Sequence, residues 1–200
     1  MLQKKIKEIF IGSNNQGKIK EIADLLPKNI KIFSNLDFNI SSPKETGKTF
    51  QQNSLLKARY FSKKTKKICL SDDSGIEVDI LNKAPGIYSA DWAGRKKNFN
   101  LAIKKLYKKL LNKDKNWKNK KIEARFICVL TIYWPNRKFI SGMGKVEGYI
   151  SKTKKGNNGF GYDPIFIPIG KRTTFGQMKP SKKYRIDHRY KAFNKIKKFF

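Results

Sequence analysis

Two short stretches of the chain carry side chains and backbone suited to a phosphorylated anion. Gly12-Ser13-Asn14-Asn15-Gln16-Gly17-Lys18 has the Gly-x-x-x-x-Gly-Lys spacing. Between a strand and a helix, such a loop turns backbone N–H groups and a helix dipole toward phosphate oxygens. The next residue is Ile19, where a nucleotide-triphosphatase P-loop needs Ser or Thr to hold magnesium, so that motif fails at its metal ligand. Ser71-Asp72-Asp73-Ser74-Gly75 supplies the carboxylates the loop lacks. Successive strand residues point to opposite faces, so one of Asp72 and Asp73 faces a given site while backbone donors hold the other. Magnesium beside phosphate needs one or two carboxylates with water and substrate oxygens, and Glu45 is the candidate second carboxylate. Asn53 and Lys57, four residues apart, set an amide and an ammonium on one helix face.

Two later stretches suit a flat ring. Gly156-Asn157-Asn158-Gly159-Phe160-Gly161-Tyr162-Asp163-Pro164 encloses two aromatics among glycines, which let a planar ligand approach the backbone and stack on a ring. His188, the sole histidine, stands beside Arg189 and five residues after Lys183, a cluster able to donate to phosphate and to purine O6 or N7. Each stretch alone also has a plain structural reading. The loop can be an ordinary turn with a surface lysine, the aspartates can cap their own turn, Phe160 can belong to the core, and a lone histidine is more often structural.

The elements that must position these residues follow from apolar spacing. Residues 6–11 form an apolar strand ending at Gly12, and Ile19, Ile22, Ala23 and Leu26 recur with helical period over residues 18–26. Residues 30–33 read as a second strand, followed by a polar stretch through Pro43. Thr49 with Gln52 forms a capping box that opens a helix through Tyr60. Residues 68–70 are a buried strand running into the aspartates, and Ile76, Val78 and Ile80 then alternate as a strand. Residues 101–111 are helical, and the Lys/Asn-rich residues 112–121 read as a solvated connection. Residues 126–134 and 137–150 make a long hairpin turning at Pro135 and Asn136, residues 165–169 a short strand, and residues 188–200 a basic helix. Strands interspersed with helices and a long hairpin indicate an α/β fold with a mixed sheet flanked by helices, in one domain over residues 1–200.

Composition bounds the partners. At 200 residues the chain can bury a core without metal or disulfide staples, and 14 Phe, 8 Tyr and 3 Trp favour folding over disorder. Cys69 and Cys128 lie in apolar runs and read as buried free thiols. No apolar run approaches a membrane span, and residues 1–12 lack the apolar core and cleavage site of a secretory leader, so a cytoplasmic protein is expected. The formal net charge of +31 suggests a polyanion partner, but only seven of the 46 basic residues are arginine. Arginine grips phosphates and reads bases, so a lysine excess points to a solvated basic surface and to no specific nucleic-acid site.

Six motifs in order resemble the non-canonical purine nucleoside triphosphate pyrophosphatases, the inosine/xanthosine triphosphatases, over residues 9–192. They are Ser13-x-Asn15-x-x-Lys18-x-x-Glu21, Glu45-Thr46-Gly47-x-Thr49-Phe50 with Asn53 and Lys57, Asp72-Asp73-Ser74-Gly75, Pro85-Gly86-Ile87-Tyr88-Ser89-Ala90, Gly159-Phe160-Gly161-Tyr162-Asp163-Pro164, and Lys183 with His188-Arg189. The resemblance implies an elongated two-lobed α/β fold around an active-site cleft, a homodimer, and magnesium-dependent hydrolysis of a purine nucleoside triphosphate to the monophosphate and pyrophosphate. It implies that Asp73 binds metal and acts as the base, with Glu45 as the other metal ligand. Substrate contacts then fall to Ser13, Asn15, Lys18, Lys57 and Ser74 for phosphate and sugar and to Phe160, Asp163, Lys183, His188 and Arg189 for the base, with Asn14, Gln16, Gly17, Gly161 and Tyr162 as further substrate-binding positions. The chain departs from the family's common residues at Gln52, Asp91 and Asp187, where Glu, Arg and Ser are usual. Rival functions are a non-catalytic nucleic-acid-binding protein and an NTPase that releases orthophosphate.

Overall fold

In a computed structural model, which describes residues 5–200 and of Leu36 the backbone alone, the chain alternates strands and helices. The leader region read from the sequence falls in part on residues 1–4, outside the described residues. Strand β1 (Glu8–Ile11) buries its last three residues and leads to helix α1 (Gln16–Leu25). The helix starts two residues earlier than its apolar period, because the Asn15 side chain caps it by accepting the Lys18 N–H. After β2 (Lys31–Phe33) the expected polar stretch contains one helical turn, α2 (Asn35–Phe38), where Asp37 accepts the Ser34 N–H at 2.7 Å. Helix α3 (Phe50–Thr65) starts at the Thr49 cap and stops at Lys66 in the left-handed region at φ 57°.

Strand β3 (Cys69–Val78) corrects the sequence reading of two strands about an Asp-rich segment, since Ser71 to Gly75 is itself strand. Gly75 lets residues 85–90 lie against the strand, where Ser89 Oγ accepts the Ile76 N–H at 2.9 Å. Next come α4 (Phe99–Lys113), β4 (Glu123–Tyr133), β5 (Phe139–Ile150), β6 (Phe166–Pro168), α5 (Pro180–Lys183) and α6 (His188–Ile196). The strands form one mixed sheet in the order β2-β1-β3-β4-β5-β6, with β1 parallel to β2 and β3 and β6 antiparallel to β5. The fold is α/β, as expected. The connection after α4 is anchored rather than wholly solvated, because Trp117 is buried and stacks on Tyr107 at 5.2 Å.

The chain forms two compact units. The first comprises the segments up to Asp73, Cys128–Gly144 and His188–Phe200. Its core joins Ile9, Ile11, Ile22, Leu70, Leu130, Ile132, Phe193 and Ile196, with a second cluster of Phe10, Ala58, Phe61, Cys69 and Tyr133. The second comprises Ser74–Ile127 and Lys145–Asp187, around Ile76, Val78, Leu106, Phe126, Phe166 and Phe175. Cys69 and Cys128 are buried free thiols. No helix among the described residues is long and apolar enough to cross a membrane.

Candidate active site

In the first unit the loop after β1 is pressed onto β3. Gly12 donates its N–H to the Leu70 carbonyl at 2.9 Å, and Ser71 Oγ donates to the Gly12 carbonyl at 2.9 Å. A Cβ at position 12 would collide with Ser71, Phe61 and Cys69, so only glycine permits this approach. Ser13 Oγ then accepts the Asn15 N–H at 3.1 Å and Asn15 Oδ1 the Lys18 N–H at 3.2 Å. Within this capped turn Asn14 and Gln16 are exposed, Gly17 is half-buried, and Lys18 Nζ reaches Asp72 Oδ1 at 3.2 Å. The first-turn N–H groups of α1 have no partner within the helix, which suits an anion.

The adjacent aspartates of β3 go to different cations, as alternation along a strand requires. Asp72 meets the side-chain cations of Lys18 and, at 3.3 Å, Arg189 Nη2. Arg189 Nη1 donates to Glu21 Oε2 at 2.6 Å and lies 3.4 Å from His188 Nε2. Asp73 Oδ1 accepts from Lys57 Nζ at 3.1 Å, and the same ammonium donates to Glu45 Oε1 at 2.8 Å. Helix α3 arranges this meeting. Asn53 Oδ1 accepts the Gly47 N–H at 2.8 Å and so ties the Glu45-Thr46-Gly47 turn to the helix one turn before Lys57. Gln52 serves the cap, accepting the Lys48 N–H at 2.7 Å.

Burial is the largest single influence on each proton affinity here, but it sets the direction only for Asp73. It pushes the Asp73 carboxyl up to about 6, against the pull of the Lys57 and Lys18 ammoniums. Burial also pushes Glu45 up, but it is less enclosed, and Lys57 leaves it below its ordinary value. For Lys57 burial disfavours the charge, yet Asp73 and Glu45 outweigh it and raise the value. Asp73 Oδ2 is buried with no hydrogen-bond partner. Asp73 and Glu45 are therefore an all-oxygen donor pair with a spare oxygen, suited to a hard divalent cation. Among the described residues no group of three or more His, Cys, Asp or Glu could hold a metal ion by itself.

The second unit assembles Phe160, Asp163 and Lys183. Gly159 at φ 72° and Gly161 at φ 67° wrap the chain around Asp163, whose Oδ2 accepts the Phe160 N–H at 3.0 Å. Lys183 Nζ donates to the same oxygen at 2.7 Å and lies 5.5 Å from the Phe160 ring centroid and 5.7 Å from that of Phe175. Phe160 is half-buried, while Tyr162 is buried and donates its hydroxyl to the Ser89 carbonyl at 3.0 Å. Ser74 follows Asp73 on β3 and is half-buried. Of the departures, Asp91 is exposed in a 3-10 turn and Asp187 is buried directly before α6.

Glu21, in the sequence a motif position without a role, is buried and pairs with Arg189; its place beside the apolar Ile22 is the local signal for that burial. Phe175, the second ring near Lys183, gave no signal, because its approach depends on a turn far along the chain.

The model of the Ham1 family matches residues 9–199. A dITP/XTP pyrophosphatase of Bacillus licheniformis is 40% identical over 96% of this chain and 96% of its own. One of Rhodospirillum centenum is 39% identical over 94% and 92%. Among solved structures, the Staphylococcus aureus Ham1 protein superposes with a TM-score of 0.82 at 38% identity, covering 96% of this chain and 97% of that one. A HAM1 protein from Coxiella burnetii gives 0.84 at 34% identity, covering 96% of both.

Proposed function

Because this chain belongs to the Ham1 family, we propose that it hydrolyses inosine, deoxyinosine and xanthosine triphosphates to the monophosphate and pyrophosphate. The observation that carries the proposal is the meeting of Asp73 and Glu45 at one buried ammonium, beside a capped glycine loop that brings Lys18 to the neighbouring Asp72. Lys18, Lys57 and the N–H groups opening α1 neutralise triphosphate oxygens and the charge that builds on the departing pyrophosphate. Asp73 accepts the proton of the water that attacks the α-phosphorus. Magnesium, held by Asp73 and Glu45, supplies charge neutralisation and orientation of the phosphates when bound. The unpartnered Asp73 Oδ2 and the all-oxygen donor set would suit that ion, with Asp73 and Glu45 as the residues that would hold it.

The second unit's cluster has the chemistry of purine recognition, with a half-buried ring at Phe160 and a fixed ammonium at Lys183. Hypoxanthine and xanthine offer an acceptor at O6 and a donor at N1, the reverse of adenine, so donors fixed toward O6 reject adenine. Homodimerisation and a cytoplasmic location belong to the same proposal, the first resting on the motif resemblance and the second on the lack of any apolar run long enough to span a membrane.

The test is to incubate inosine triphosphate with the protein and magnesium and to identify the products. Pyrophosphate with monophosphate is expected, and equal turnover of adenosine triphosphate is not. Orthophosphate as the product, or no turnover, overturns the proposal.

A further inference from the structure

We propose that Lys57 is the resident counter-cation of the Glu45 and Asp73 carboxylates, so that the protein takes up a divalent ion weakly on its own and strongly together with a triphosphate. The inference rests on the functional reading above and adds to it an order of assembly. Its ground is that every carboxylate of the first unit's cluster already has a cation close by. Lys57 Nζ stands 2.8 Å from Glu45 and 3.1 Å from Asp73, Lys18 3.2 Å from Asp72, and Arg189 2.6 Å from Glu21 and 3.3 Å from Asp72.

A bare divalent ion approaching Glu45 and Asp73 meets a buried ammonium that already holds one oxygen of each. It must give up water, and it is repelled by a like charge a few ångströms away, where the surroundings screen poorly. Lys57 leaves one oxygen of each carboxylate unheld, the buried Asp73 Oδ2 among them, and these are a foothold and not a full site. A triphosphate changes this balance. Its oxygens are acceptors for Lys57 and Lys18, and each ammonium that turns to phosphate returns a carboxylate oxygen for coordination. The two ligands then strengthen each other's binding by one common factor, as linkage requires.

The experiment titrates Mn²⁺ into nucleotide-free protein and follows the free ion by electron paramagnetic resonance. Weak uptake is expected for the natural chain and for Lys57→Arg, which keeps the cation. Lys57→Met and Lys57→Gln should bind roughly tenfold more tightly or better, as removal of a nearby like charge in a buried site implies. Adding Asp73→Asn to Lys57→Met should abolish that gain. Equal affinity in the natural chain and the neutral variants overturns the proposal. If the neutral variants do not fold, the natural chain decides alone. Magnesium without nucleotide should leave its melting temperature unmoved, and a clear rise overturns the proposal. The pyrophosphate assay is read separately: loss of the expected product with the expected Mn²⁺ behaviour removes the substrate reading and leaves the role of the ammonium standing.

Discussion

Around Asp72 and Asp73 the first unit sets carboxylates and cations in two runs, Glu21, Arg189, Asp72 and Lys18 on one side and Glu45, Lys57 and Asp73 on the other, which meet at the adjacent aspartates. The second unit buries the Lys183–Asp163 pair beside Phe160 and Phe175, at a turn that glycines at positive φ make possible. The chain of charges offers alternatives, since Asp72 meets two cations and Lys57 two carboxylates. It can therefore trade partners when an anion arrives. The Lys183–Asp163 pair is dried by aromatic rings, which suits holding one geometry against a flat ligand.

The largest effect that tests this contrast is on stability. Lys183→Met strips a buried carboxylate of its ammonium and should cost about 3–5 kcal/mol in urea unfolding. Lys18→Met should cost under about 1 kcal/mol, because Lys18 is partly exposed and Asp72 keeps Arg189. Similar losses for both would erase the distinction between the two units.

Next comes catalysis without comparable loss of stability. Asp73→Asn keeps the shape but removes the proposed proton acceptor and metal ligand, and turnover should fall by at least about 10²-fold. Its carboxyl is pushed up to about 6, so its charged form is penalised in the fold relative to the unfolded chain. A group raised in this way loses its contribution to stability as pH rises through that value, and a neutral amide avoids the loss at pH 7. Denaturation midpoints should therefore not fall. In the natural chain kcat/KM should drop below about pH 6, as Asp73 takes up a proton. Near-normal turnover of Asp73→Asn with an inactive Asp72→Asn would exchange the roles given to the two aspartates.

A smaller effect separates shape from charge in the second unit. Gly159→Ala puts a Cβ against the Asp163 carboxylate at φ 72° and should cost about 1–3 kcal/mol through strain. It should also narrow the preference for inosine over adenosine triphosphate, measured as the ratio of kcat/KM values, while pyrophosphate remains the product.

The local parts of both regions were legible in the sequence, and the long-range parts were not. The Thr49 cap, the loop ending at Lys18, the hairpin of β4 and β5 and the buried thiols follow from neighbours within a few residues. Residues 71–75 looked like a turn, because Asp, Ser and Gly are depleted in strands. Contacts from Gly12 and Ser89, distant in the chain, hold them extended. The Glu21–Arg189 pair spans 168 residues, so no local period could reveal it. The Asn53 tie to Gly47, which brings Glu45 to Lys57, depends on a loop conformation that composition does not specify. Trp117, in a Lys/Asn-rich run, was hidden by its charged neighbours.

The smallest expected effect concerns the +31 charge, which contrasts with the ordered charges of both regions. On α4 the lysines at 104, 105, 108 and 109 are exposed, opposite the buried Ala102, Ile103, Leu106 and Leu110. Lys105 and Lys109 lie over the Trp92 ring at 5.0 and 5.8 Å, and no arginine lies on this helix to read a base edge. Such a face attracts phosphates through released counterions alone, so each contact made adds close to one unit to the salt slope and nothing to sequence preference. Labelled duplexes of different sequence should therefore bind weakly and alike at low salt and be released near physiological salt. Binding that survives physiological salt and distinguishes one duplex from another would give this surface a specific partner and make its lysines part of a site.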